Sequence, residues 1–194
     1  MRSLARVLRS FAGLLLLFAG LTGAARAADL SHAVILVASE KLAGSVYEQT
    51  VMLAAPLPQG GHFGVVINRP SGVKLESLFP EQASTRKVVD PVYMGGPMLP
   101  TVLVALARKA PKDSGEFVAV MPGLVAAMNG QSVDRVIEET PNDARYFLGL
   151  TIWPPDALDA QINSGAWQVR PADVDTAMPS NPQGLWKALL GTEI

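Results

Sequence analysis

Two histidines, two Ser-x-x-Lys spacings and three tryptophans are the side chains of this sequence most readily turned to chemistry. Ser71 with Lys74, and Ser84 with Lys87, repeat the spacing that sets a lysine one helical turn from a nucleophilic serine in penicillin-interacting enzymes. Such enzymes also need Ser-Asp-Asn and Lys-Thr-Gly elements, and the chain has neither, so both matches read as coincidence. No Gly-x-Ser-x-Gly elbow is present. His32 lies near the start of the globular part and His62 in a Gly-rich loop, where a histidine is most often a solvated side chain. His62 working with a nearby carboxylate is the remaining route to a hydrolase.

Metal and phosphate chemistry find little more to use. With no cysteine, a zinc site would need both histidines and carboxylates recruited from elsewhere. Asp156 and Asp159 suit the positive end of a helix, and Glu138 with Glu139 suits a solvated face. No catalytic residue, metal or cofactor is therefore assigned. Gly95-Gly96-Pro97 lacks the Lys-Ser/Thr and the following helix of a phosphate cradle, since Pro100 stops any helix there, and it reads as a tight turn. Trp167 and Trp186 sit in apolar periodic segments and are expected in the core. Trp153, set against Pro154-Pro155, is expected at the surface, as an aromatic of a peptide-binding groove.

The elements that must position these residues begin after an export signal. Arg2, Arg6 and Arg9 precede an apolar run of 11 residues at 11–21, and Ala25-Arg26-Ala27 supplies a small-x-small cleavage pattern. Residues 1–27 are thus expected to be removed before Ala28, leaving one domain over 28–194 in the periplasm. They hold four of the 16 basic residues and none of the 17 acids, so the mature chain carries 12 basic against 17 acidic groups and a net charge of −5. Without a basic face to neutralise phosphates, nucleic acid is a poor partner.

Apolar runs at 33–38, 50–55, 63–67, 88–94, 101–106, 145–151 and 167–170 predict strands, by their β-branched content and Gly/Pro boundaries. Helical spacing predicts helices over 73–79, 132–140 with Ser132 as N-cap, 157–163 and 183–190. The sum is an α+β single domain: a mixed, largely antiparallel sheet, open or barrel-like, with a few short flanking helices.

Several segments, in order, resemble the bacterial YqgE/AlgH family. Gly64-Val65-Val66-Ile67-Asn68-Arg69-Pro70 is similar to the family's Gly-x-x-x-Asn-Arg-Pro signature. Leu36-Val37-Ala38-Ser39 precedes it; Tyr93-Met94-Gly95-Gly96-Pro97, Gly165-Ala166-Trp167 and Trp186 follow. One segment departs from the pattern. Where the family has Gly-Tyr-x-Gly-Trp-x-x-Gly-Gln-Leu, this chain keeps only Gly149, Trp153 and Leu158, and the flexible glycines give way to Thr151-Ile152 and to Pro154-Pro155. That loop is expected to be stiff, having lost residues that take positive φ freely.

The resemblance implies a small α+β protein without an established reaction or cofactor, from a family labelled as transcriptional regulators. Export and acidity argue against reading DNA. The expectation is a non-enzymatic binding or accessory protein with a protein, peptide or cell-envelope partner, the alternatives being a regulator and a hydrolase. Its site is expected around Asn68, Arg69, Gly95, Gly96 and Trp153. There Arg69 would either offer its guanidinium to a carboxylate or phosphate, or fix the fold through backbone carbonyls.

Overall fold

The computed structural model describes residues 28–112 and 116–191; the expected export signal lies outside them. In chain order the strands are β1 (Val34–Ala38), β2 (Val51–Pro56), β3 (His62–Val66), β4 (Tyr93–Met94), β5 (Met98–Ala107), β6 (Phe117–Met121), β7 (Leu124–Ala127), β8 (Ala144–Trp153) and β9 (Trp167–Pro171). Between and after them lie helices α1 (Leu75–Leu78), α2 (Gly130–Glu139), α3 (Ala157–Asn163), α4 (Val174–Ala177) and α5 (Leu185–Leu190). The strand order is β6-β7-β5-β8-β3-β2-β1-β9, with β4 beside β8. Every pairing between strands is antiparallel except β4 with β8. The sheet curls into a half-barrel, and the α+β expectation is met.

β8 joins the two halves. Its first half, from Ala144 to Leu148, pairs with β5, and its last residues, Thr151–Trp153, pair with β3. Gly149 stands between them at φ 71°, the left-handed region that a side chain enters only at a cost. One face of the sheet holds the largest apolar cluster, which includes Ile35, Leu53, Phe63, Val65, Leu106 and Phe147. β1, β2 and β3 are apolar on both faces, which explains their unbroken runs: Leu36, Met52 and Val66 fill a second cluster with Trp153 and Trp167.

Several sequence expectations need correction. The predicted strand at 88–94 shrinks to Tyr93–Met94, because Pro91 cannot join a ladder and a 3-10 turn occupies Ala83–Lys87 just before it. The β6–β7 hairpin around Pro122-Gly123 was not anticipated; Gly123 supplies the positive φ its turn needs. Ser132 is no N-cap. Asn129 caps α2 by accepting from the Ser132 N–H at 2.9 Å, while the buried Ser132 hydroxyl donates to the Glu116 carbonyl at 3.0 Å.

Candidate functional site

β3 runs into Asn68 and Arg69, and both side chains turn back on the loop at residues 43–50. Asn68 is buried; its Oδ1 accepts from the Val51 N–H at 2.9 Å and its Nδ2 donates to the Gln49 carbonyl at 2.9 Å. Arg69 donates from Nη1 to the Val46 carbonyl at 2.6 Å and from Nη2 to the Glu48 carbonyl. Of the two roles read for Arg69, the structure displays the carbonyl-binding one. A carbonyl has no stronger partner than a charged donor, and between them two side chains hold four backbone groups of the loop, three carbonyls and one N–H. Pro70 bridges to Tyr93, and the Arg69 carbonyl accepts from the Met94 N–H at 2.9 Å, which ties the same pair to β4.

The clamped loop is strained. Gln49 sits at φ 55°, where a side chain at Cβ crowds the backbone and costs roughly 1 kcal/mol. Tyr47 anchors the loop from within, its hydroxyl 3.1 Å from the Thr151 hydroxyl and its ring edge-on to Trp167 at 5.5 Å. On one side of the loop is a cavity of about 190 Å³ lined by Val46, Tyr47, Val66, Arg69, Met94 and Pro97. On the other is a cleft of about 420 Å³ lined by Ser39, Glu40, Ala43, Glu48, Gln49 and Trp186. The loop is therefore the shared wall of two depressions.

Gly95 and Gly96 do reach this site, but not as the tight turn expected. β4 and β5 do not pair with each other; the segment crosses β8 with its backbone laid directly on it. The Gly95 N–H donates to the Leu148 carbonyl at 2.8 Å and its carbonyl accepts from the Val66 N–H at 2.7 Å. A Cβ on Gly95 would strike the Gly149 carbonyl, and one on Gly96 would strike Leu150. Close approach, rather than positive φ, is what these glycines provide. Tyr93, at the head of the segment, packs on Phe147 and lies 5.4 Å under the Arg145 guanidinium. Burial pushes its phenol above the ordinary range, with Arg145 opposing, so it stays neutral at physiological pH.

Trp153 is the misplaced residue. It is 3% exposed, not at a rim. Its ring lies over Gly64, where a Cβ would come within 2.7 Å of it, and its Nε1 donates to Gln161 Oε1 at 3.1 Å. The same Gln161 oxygen accepts from Trp167 Nε1 at 2.8 Å. One amide therefore satisfies two buried indoles, and the chain leaves the core only at the exposed corner of the proline pair after Trp153. The corner is not free of left-handed backbone either: Asp156 takes φ 64° where the family pattern has glycine. Trp167 is buried as expected, whereas Trp186 is only half-buried, pinned by an Nε1 hydrogen bond to the Ala38 carbonyl at 2.8 Å.

The histidines and serines gather no catalytic set among the described residues. His62 Nε2 lies 3.0 Å from the Leu30 carbonyl, a pure acceptor, so that nitrogen carries the proton. His32, Ser31 and Asp29 meet at the surface, but the Ser31 hydroxyl donates to Asp29 at 2.6 Å rather than to the imidazole, which inverts the order a general base needs. Ser71 donates to the Val92 carbonyl and Lys74 leans to Glu76, so that pair does not meet.

Glu40, Glu48, Gln49 and Gln161 were not singled out by sequence reasoning. Isolated polar residues in short loops give no periodic signal. The motif segments did carry one: Ser39 bonds the Gly165 carbonyl through its hydroxyl at 2.7 Å and the Ala166 carbonyl through its N–H at 3.0 Å, and Trp186 bonds Ala38. Segments distant in the chain thus converge on the cleft beside the loop.

Comparison with known proteins agrees with this architecture. A family model described as AlgH-like matches residues 35–192, and the chain belongs to that family. A UPF0301 protein of Streptomyces coelicolor is 26% identical over 163 residues, covering 80% of this chain and 83% of its own. A UPF0301 protein of Myxococcus xanthus is 27% identical over 160 residues, covering 80% and 87%. The solution structure of AlgH from Pseudomonas aeruginosa superposes with a TM-score of 0.66 at 24% identity, over 84% of this chain and 90% of that one. A crystal structure from Corynebacterium diphtheriae gives 0.69 at 20% identity, over 89% and 92%. At these identities the two structures speak for the fold.

Proposed function

We propose that this member of the AlgH-like family is an exported, non-enzymatic binding protein whose recognition surface is the loop at residues 43–50. The observation that supports this reading is the clamp. Two side chains, one of them buried, are committed to holding an exposed loop with a strained Gln49 between two depressions. A loop needed only to connect β1 to β2 could relax into an unstrained turn, and strain kept by dedicated contacts is typical of binding surfaces.

The apolar side of the surface is Val46, Met94, Met98 and Leu99, all exposed. Leu99 takes φ 49°, and Met98 is fixed by its sulfur accepting the Ile152 N–H at 3.2 Å. Exposed methionines adapt to a partner's shape, which suits a protein or peptide. Export rests on the N-terminal charge and apolar pattern. Fractionation followed by N-terminal sequencing tests it: a periplasmic form beginning at Ala28 is expected, and an intact cytoplasmic chain overturns the assignment. Replacement of Arg69 by alanine tests the surface, with loss of partner capture by an otherwise folded protein as the expected result.

A further inference from the structure

The cleft on the polar side of the clamped loop has a composition that specifies a ligand charge. Its lining holds two carboxylates, Glu40 and Glu48, the Gln49 amide, the Ser39 hydroxyl and the Trp186 ring, with no basic side chain. No cation stands within ion-pair distance of either carboxylate among the described residues. Lys41, the nearest lysine in sequence, donates to the Ser164 carbonyl at 2.6 Å and is held at the neighbouring depression instead. Glu48 is oriented by accepting the Gly44 N–H at 2.9 Å through one oxygen, which leaves the other available.

Trp186 makes this more than a pair of surface acids. Its Nε1 is used on the Ala38 carbonyl at 2.8 Å, so the ring cannot turn, and the half-buried indole forms a fixed wall of the cleft. An indole face attracts a cation through its quadrupole and also packs against an aliphatic stem. A carboxylate-lined cleft with an aromatic wall is complementary to an ammonium on a methylene chain. The volume of about 420 Å³ admits one such group with its stem.

We infer that this cleft binds an alkylammonium group of the lysine side-chain type, stacked on Trp186 and neutralised by Glu40 and Glu48. The inference deepens the recognition surface proposed above and rests on it. Two arrangements serve it: Ser39 fixes the cleft floor to Gly165, and the Asn68–Arg69 clamp presents Glu48 and Gln49.

The test is a titration of the purified protein with Nα-acetyl-lysine N-methylamide, its norleucine analogue and n-pentylamine, read by tryptophan fluorescence and by the indole N–H resonances. The lysine probe is expected to saturate with a Kd on the order of 1 mM and to shift the Trp186 resonance, not that of Trp153 or Trp167. The norleucine analogue should bind at least about tenfold more weakly. The Glu40→Gln/Glu48→Gln variant should lose the response; both groups are exposed and glutamine retains the acceptor for Gly44, so the fold is not at stake. A capped lysine tighter than pentylamine marks a peptide-borne group, and equal affinity marks a free amine; both uphold the site. Equal binding of lysine and norleucine probes, or an unchanged response in the double variant, overturns it. Partner capture at Val46, on the opposite side of the loop, would survive such a failure, so the ligand class and the recognition surface fall separately.

Discussion

Two loops of this protein hold a polar residue in left-handed backbone, and they are built in opposite ways. At Gln49 the surroundings reach into the loop: Asn68 and Arg69 seize its carbonyls and the next N–H, so the shape is imposed from outside. At Asp156 the turn is held by its own backbone, the Ala157 N–H donating to the Pro154 carbonyl at 3.1 Å and the Ala160 N–H to the Asp156 carbonyl at 3.0 Å. Its side chain makes no cap hydrogen bond to α3, and the nearby polar tie, Gln161, serves the buried indoles of Trp153 and Trp167. In the first region polar side chains shape a surface; in the second they complete a core. Strain that is actively maintained has a use at the surface, whereas strain that is merely tolerated can be relieved without loss.

The contrast can be broken most severely at Asn68. Asn68→Ala strands the fully buried Val51 N–H and frees the Gln49 carbonyl, with an expected loss of about 2–3 kcal/mol in denaturant unfolding. Amide exchange should accelerate at 43–50 and remain slow at 154–163. Equal acceleration in both regions would mean that the clamp has no local role. Gln161→Leu should cost about 2 kcal/mol by leaving two indole N–H groups unpaired, and here protection should fall around Trp153 and Trp167 while the clamped loop is undisturbed.

Glycine replacement gives the smallest and sharpest comparison. Asp156→Gly and Gln49→Gly each remove left-handed strain, and each should gain about 0.5–1 kcal/mol after the entropy of the added glycine. Only Gln49→Gly should weaken binding of the lysine probe, because only that loop lines the cleft. If Asp156→Gly weakens it equally, the distinction between the two loops fails.

How much of this was legible in the sequence follows from the same physics. Apolar runs announced β1, β2, β3 and β8, unbroken in the first three because strands buried on both faces need apolar residues at nearly every position. Asn68, Arg69, Gly95 and Gly96 were legible through the resemblance; Arg69 and Gly96 line the smaller cavity, Gly95 bonds Val66 beside it and Asn68 holds the loop from beneath. Trp153 was misread because an aromatic beside two prolines looks like a surface corner; its burial depends on Gly64 and Gln161, residues 89 and 8 positions away. Glu48 and Gln49 gave no warning, as their placement is set by the hydrogen bonds of Asn68 and Arg69, and Glu40 sits in a separate 3-10 turn capped by Ser39. The stiffness expected at 153–156 missed the left-handed backbone of Asp156, a residue type that tolerates it better than most.

The recognition surface is tested most directly by a photoreactive amino acid placed at Val46 and, separately, at the still more exposed Val89, followed by illumination of intact cells. A discrete adduct from Val46, absent from Val89 and abolished by Arg69→Ala in a protein of unchanged fold, is the predicted result. No adduct from Val46, or the same adducts from both positions, would contradict the account.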